Sequence, residues 1–162
     1  MLRIVLAETQ VSTVPRPDDH PEIVLRSLDA IREVCGDDVG GIRLVVHTHE
    51  GRAFEPAVTD RIPDEAALRS LLRRSPHRPL RTLLEPPVVA MTPSGERSDI
   101  DALAREFPEA TVVIGGFVEG ELPEEVLRIA DARVSLGPKL LVVWAVIERV
   151  LRSWTRSGEN IR

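Results

Sequence analysis

Three glycine-bearing segments carry the most suggestive chemistry in the chain. Gly115-Gly116-Phe117-Val118-Glu119-Gly120, Thr92-Pro93-Ser94-Gly95 and Leu136-Gly137-Pro138 each follow a short apolar run. Glycines beyond the carboxyl end of a strand let backbone approach a ligand closely, and open parallel sheets bind ligands at that end. Three such loops side by side would line one pocket with amides and carbonyls, suited to an adenine and its ribose. Taken singly, each is an ordinary tight turn. The spacing is neither the Gly-x-Gly-x-x-Gly of dinucleotide folds nor a Gly-Lys-Ser/Thr phosphate loop. Arg69, Arg73, Arg74, His77, Arg78 and Arg81 form the densest basic stretch. Arginine pairs bidentately with phosphate, so this stretch reads either as a phosphate grip or as a solvated helix face. His47 and His49 alternate along a strand and share a face, but two histidines without a third ligand do not make a zinc site, and no metal is expected. Cys35 is the only cysteine. It excludes an internal disulfide or a cysteine-rich zinc site and reads as a small apolar side chain near a helix end.

The elements that would position these residues follow from periodicity. Leu2–Ala7 and Ile42–His47 read as buried strands, as do the almost wholly apolar Val88–Met91, Thr111–Ile114 and Arg133–Leu136. Helical spacing places Ile23, Val24, Leu28, Ile31 and Val34 on one face of a helix over Pro21–Val34, with Pro21 at its start and Gly36 after its last turn. Further helices are expected over Asp64–Arg74, Asp99–Phe107, Pro123–Ala130 and Leu140–Thr155, with Val11–His20 as a loop. Strands buried on both faces and alternating with helices imply a parallel sheet covered by helices. The last helix is apolar all round in its first half and needs a cover, for which a second subunit is the inference.

Composition bounds the class. With 162 residues, 43% hydrophobic and 29% charged, the chain suits one globular domain. Aromatics at 3% argue against a stacking platform for bases, and a net charge of -5 excludes a generally basic coat while allowing a local patch. Lys139 is the only lysine among 21 basic residues. Met1 leads straight into a strand-like run, and the Leu140–Ile147 apolar run falls far short of the ~20 residues that span a bilayer. A soluble cytoplasmic protein is expected.

The motifs also resemble a known family in collinear order. Ile114-Gly115-Gly116-Phe117-x-x-Gly120, then Val134-Ser135-Leu136-x-Pro138, then Trp144 in the closing helix, resemble the carboxyl-terminal half of the Nep1 family. The Met1–Glu8 run is similar to that family's opening strand, and His20-Pro21-Glu22-Ile23-Val24 to its Arg-Pro-Asp-Ile-Val helix start. Arg43-Leu44-Val45-Val46-His47-Thr48 resembles its Val-His-Thr strand, and Arg61-Ile62-Pro63 its Arg-Leu-Pro turn. Members are ribosomal-RNA pseudouridine N1-methyltransferases of the knotted SPOUT class. The resemblance implies an α/β fold, a mostly parallel sheet flanked by helices with a C-terminal trefoil knot, one of the rare knotted topologies. It implies a single domain over 1–162, with a substrate-side part (1–85), a knotted cofactor-binding part (86–156) and a tail (157–162). It further implies S-adenosylmethionine as methyl donor, a pseudouridine of small-subunit (16S) ribosomal RNA as acceptor, a role in ribosome biogenesis, and a homodimer paired through the C-terminal helix.

Carried over by position, the donor loops are Thr92 with Gly95, Gly115 with Gly120, and the run Val134, Ser135, Leu136, Gly137, Pro138, Lys139, Leu140 and Leu141. Glu22 stands where the family has aspartate and is the implied catalytic carboxylate, orienting the pseudouridine N1 or taking its proton. Without the resemblance, Glu22 is a carboxylate complementing a helix dipole. His20, in place of an arginine, joins Arg61, Arg69, Arg73 and Arg74 as the expected RNA contacts. Glu119 stands where archaeal relatives have histidine, and Gly137 where they have a larger residue. Val11–His20 is too short for the family's His-His insert, and Asp64-Glu65-Ala66-Ala67 stands in place of its further arginines. An alternative reading of those departures is a non-catalytic SPOUT-fold factor in ribosome assembly or RNA binding. A third is a SPOUT methyltransferase with another RNA target.

Overall fold

A computed structural model describes residues 1–37, 39–58, 61–137 and 141–159. The chain runs β1 (Leu2–Thr9), α1 (Glu22–Cys35), β2 (Ile42–Thr48), β3 (Ala53–Phe54), α2 (Glu65–Arg74), a 3-10 turn (Leu80–Leu83), β4 (Val88–Arg97), α3 (Ile100–Glu106), β5 (Thr111–Gly115), α4 (Glu124–Ile129), β6 (Ala132–Ser135) and α5 (Val143–Glu159). Among the described residues the strands form one six-stranded sheet in the order β3-β2-β1-β5-β4-β6. Every pairing is parallel except the short β2–β3 hairpin. The expected parallel α/β architecture is therefore present. Two small elements, β3 and the 3-10 turn, had no signal because neither is long enough to show a period.

Alternate residues of each strand feed two cores. Ile4, Leu6, Leu44, Val46, Val89, Met91, Val112 and Ile114 face α1, α3 and α5, where Leu28, Ile31, Ala104, Ile147 and Leu151 are buried. Val5, Ala7, Val45, Val88, Ala90 and Val113 face the opposite side, covered by Leu80, Leu83 and Val126. Period-two alternation in strands that are apolar throughout is what a sheet covered on both faces requires. At about 25 cal/mol per Å² of apolar surface removed from water, these two layers are the main favourable term in folding.

The helix ends follow their sequence signals. Gly36 at φ +57° closes α1 and donates its N–H to the Arg32 carbonyl at 2.8 Å. Asp64 and Asp99 are caps rather than first helical residues: Asp64 accepts from the Ala67 amide at 2.9 Å, and Asp99 from the Asp101 amide at 2.9 Å. The Trp154 indole donates to the Phe107 carbonyl at 2.9 Å, anchoring α5 beyond α3. Among the described residues no helix is long and apolar enough to cross a membrane.

The strand expected over Val88–Met91 continues to Arg97, and its pairing is unusual. Val134 of β6 lies opposite Met91 and again opposite Glu96. The register therefore breaks between Met91 and Glu96, and residues 92–95 depart from regular pairing with β6. Gly95 permits the close approach of this segment to β6. A Cβ there would lie 2.6 Å from the Val134 nitrogen and 2.7 Å from the Arg133 carbonyl carbon.

Candidate functional site

The three glycine-bearing loops converge. A cleft at the carboxyl ends of β4, β5 and β6 is lined by Thr92, Gly115, Gly120, Val134, Ser135, Leu136, Gly137 and Leu141. Gly95 is not part of this lining; it lies against the β6 backbone instead, where a Cβ would collide with Arg133 and Val134. Pro138, Lys139 and Leu140 lie outside the described residues. Ile114 and Phe117 of the glycine motif also line the walls, joined by Glu121, Val143 and Val146, which the sequence reading did not assign to the site. Phe117 lies over Gly115, where a Cβ would come within 2.4 Å of its ring, so this glycine exists to let an aromatic floor fold in.

Glu121 fastens two of the loops together. Its carboxylate accepts from the Thr92 hydroxyl, from the Ser94 hydroxyl at 2.7 Å and from the Leu122 amide at 2.9 Å. Burial works against the charged carboxylate, but the Thr92 and Ser94 bonds and the backbone amides outweigh it and hold the Glu121 carboxyl below the usual glutamate range. The only sequence cue to this latch was an acid placed one residue beyond the glycine loop.

A second, acidic cavity adjoins the cleft at the end of β1. It shares Phe117, Glu119, Gly120 and Glu121 with the cleft and adds Glu8, Gln10, Asp18, Asp19 and His49. The Gln10 side-chain carbonyl accepts from the Val118 amide at 3.1 Å, and the Gln10 amide donates to the Gly116 carbonyl at 2.9 Å, so the end of β1 is stitched to the glycine loop. The loop between β1 and α1 is held from beneath by a chain of polar contacts. Ser12 donates its hydroxyl to Asp19 at 2.9 Å, which leaves its oxygen to accept from His49 Nε2, also at 2.9 Å. Arg69 reaches the other Asp19 oxygen at 2.8 Å, the Ser12 carbonyl at 2.5 Å, and Glu65 one turn back.

Arg69 therefore differs from the expectation of an RNA contact. Its side chain is 5% exposed and that of Asp19 3%, and its guanidinium is occupied by partners within the fold. The partner lies 50 positions away in sequence, so no local pattern announces it. Arg61, Arg73 and Arg74 are exposed, with Arg73 donating to the Thr13 carbonyl at 3.1 Å. Arg52 caps the end of α2 through the Ser75 carbonyl at 2.8 Å. Glu22 is the first residue of α1 and its carboxylate takes the His20 Nδ1 proton donor at 2.8 Å. It lines neither the cleft nor the acidic cavity.

Comparison with known proteins places this geometry. No family model matches the chain. The ribosomal RNA small subunit methyltransferase Nep1 of Methanothrix thermoacetophila is 26% identical over 153 residues, covering 82% of this chain and 68% of that protein. The crystal structure of Archaeoglobus fulgidus Nep1 bound to S-adenosylhomocysteine superposes with a TM-score of 0.75 at 18% identity, over 96% of this chain and 98% of that one. The TrmH/SpoU tRNA modifying enzyme of A. aeolicus reaches a TM-score of 0.59 at 18% identity, over 99% of this chain and 76% of that one. The chain is thus similar in sequence to a Nep1 and shares the overall fold of these solved methyltransferase structures.

Proposed function

We propose that the chain methylates N1 of a pseudouridine in small-subunit ribosomal RNA with S-adenosylmethionine as donor, within ribosome biogenesis. The observation that carries this reading is the convergence of the three loops on one cleft in a fold shared with a Nep1 bound to S-adenosylhomocysteine. The residues present fit such a donor. Ile114, Leu136 and Val146 offer apolar walls for an adenine, backbone of Gly115, Gly120 and Gly137 offers amides and carbonyls, and Glu119 and Glu121 at the rim complement a sulfonium and an ammonium. Thr92, Val134, Ser135 and Leu141 join this set, and Pro138, Lys139 and Leu140 extend it by resemblance. When bound, the donor supplies an activated methyl group; the protein supplies orientation and a shielded site.

The broken register between β4 and β6 and the close approach of Gly95 to the β6 backbone support a trefoil knot within 86–156, with 1–85 as the substrate side by resemblance. Leu141 and Val142, 46% and 51% exposed just ahead of α5, support a homodimer paired around that helix. His20, Arg61, Arg73 and Arg74 are the groups that would meet RNA phosphates. A cytoplasmic setting accords with ribosomal RNA as substrate. Titration calorimetry with S-adenosylmethionine tests the reading, which expects binding below millimolar donor; no heat at that concentration overturns it and favours the non-catalytic alternative. Methyl transfer to a pseudouridine hairpin, with none to its uridine counterpart, then separates this target from another RNA.

A further inference from the structure

We propose that Glu8 is the catalytic carboxylate that accepts the N1 proton of the pseudouridine during methyl transfer, an inference that rests on the function proposed above. Glu8 sits at the carboxyl end of the central strand β1. In the register that pairs Ala7 with Gly115, it comes level with the Gly116 of the cleft loop. The pairing of β1 with β2 slips between Leu6 and Thr9, and Glu8 itself adopts φ +53°, the left-handed region that a glutamate rarely occupies. Such strain persists only where the surroundings over-determine it, and here they do. The Glu8 amide donates to His47 Nδ1 at 3.3 Å, the Ala7 carbonyl accepts from Gly116 at 2.9 Å, and a Cβ on Gly116 would lie 2.3 Å from the Thr9 hydroxyl.

At this kink Glu8 lines the acidic cavity, which shares the wall formed by Phe117, Glu119, Gly120 and Glu121 with the cleft, and it also lines a neighbouring hollow with His47, His49 and Glu125. Among the described residues the Glu8 carboxylate accepts no hydrogen bond, whereas Glu22 is held by His20 and lines neither cavity. Burial, then the nearby Glu125 carboxylate, raise the proton affinity of Glu8 above that of an ordinary glutamate, with His49 opposing them. A carboxylate so placed is a better base near neutrality than a solvated one. His47, which burial keeps below its usual pKa against the pull of Glu125, stays neutral and able to accept the Glu8 amide. It is the positioning residue of the pair.

The step balances. N1 forms a bond to the methyl carbon while the carbon–sulfur bond breaks with its pair going to sulfur, leaving a neutral thioether. The N1 proton passes to the Glu8 carboxylate, which becomes a neutral acid and later loses the proton to water. The cavity's negative charge also means that the substrate presents a base edge there, N–H groups foremost, while its phosphates stay on the basic rim.

Two readouts test this. In the absence of donor, anisotropy titration of labelled hairpins should show the wild type binding a pseudouridine hairpin about tenfold more tightly than the same hairpin carrying N1-methylpseudouridine, and Glu8→Ala binding both alike. With donor, Glu8→Gln should retain calorimetric donor affinity while transfer falls about a hundredfold, and Glu8→Asp should recover part of it. Wild-type transfer with Glu8→Gln within twofold of it, or a preference that survives in Glu8→Ala, overturns the role of Glu8 alone. Failure of the wild type to bind donor or to transfer overturns the parent reading, and this role with it.

Discussion

The two sides of the sheet's carboxyl end are built on different principles. The cleft over β4, β5 and β6 sets the backbone of Gly115, Gly120 and Gly137 among apolar walls, and one carboxylate, Glu121, ties its loops together. The neighbouring region over β1 and β2 is made of side chains: Arg69, Asp19, Ser12 and His49 form a relay that holds the β1–α1 loop over the acidic cavity. A backbone-lined site tolerates divergence in side chains, because amides and carbonyls are the same in every residue. A side-chain site does not. The histidine and glutamate that this chain carries where its resemblance would place arginine and aspartate, His20 and Glu22, lie outside the cleft lining.

The comparison can be broken most sharply at Arg69. Arg69→Ala leaves Asp19 buried and uncompensated, and a loss of about 4 kcal/mol in urea unfolding is expected; a loss under about 0.5 kcal/mol, with weakened RNA binding, would return Arg69 to the role of phosphate contact. Acid probes the same pair reversibly. Burial pushes the Asp19 carboxyl upward, but bonds from Arg69 and Ser12 prevail and hold it below its ordinary value of 3.8. A carboxylate with a depressed folded pKa contributes its stabilisation above the unfolded value and loses it as pH falls through the folded one. Thermal melts from pH 5 to pH 2 should therefore show a falling Tm that is flatter in Asp19→Asn.

On the cleft side, Gly95→Ala sets a methyl against the β6 backbone and should cost about 2 kcal/mol, seen as a drop in Tm with no change in the cavity network. Glu121→Gln keeps the shape but weakens the latch; about a tenfold loss of donor affinity is expected by calorimetry, with unfolding midpoints nearly unmoved. The smallest structural effect belongs to Arg73→Ala with Arg74→Ala. Stability should stay within about 0.5 kcal/mol, while the salt dependence of RNA binding flattens by about one unit per arginine.

Periodicity carried most of the fold. Apolar strands separated by helical stretches specify a covered parallel sheet, and the three loops after strands 88–91, 111–114 and 133–136 were visible because glycine punctuates them. What escaped is non-local. Arg69 reads as part of a phosphate grip until tertiary contact brings Asp19 against it, while Arg73 and Arg74 stay exposed. Gly95 reads as a ligand glycine until β6 is found against it. Glu8 hides in the opening strand run because a positive φ on glutamate has no sequence mark; its one cue is a charge ending an otherwise buried strand. Glu22 stands out only through the resemblance; by itself it reads as the carboxylate of a helix start, which is where the structure places it.

The arrangement of α5 has a practical corollary. The chain has two tryptophans and no tyrosine, and both tryptophans lie on this helix. Trp144 is partly exposed beneath the Arg26 guanidinium, 5.0 Å from its ring centre, and sits next to Val143 and Val146 of the cleft wall. Trp154 is buried with its indole bonded to Phe107. Near-ultraviolet emission from the unlabelled protein thus originates from a single helix, with one emitter beside the cleft and one inside the core. Quenching of the first and a red shift of the second distinguish ligand entry from loss of the fold in one spectrum.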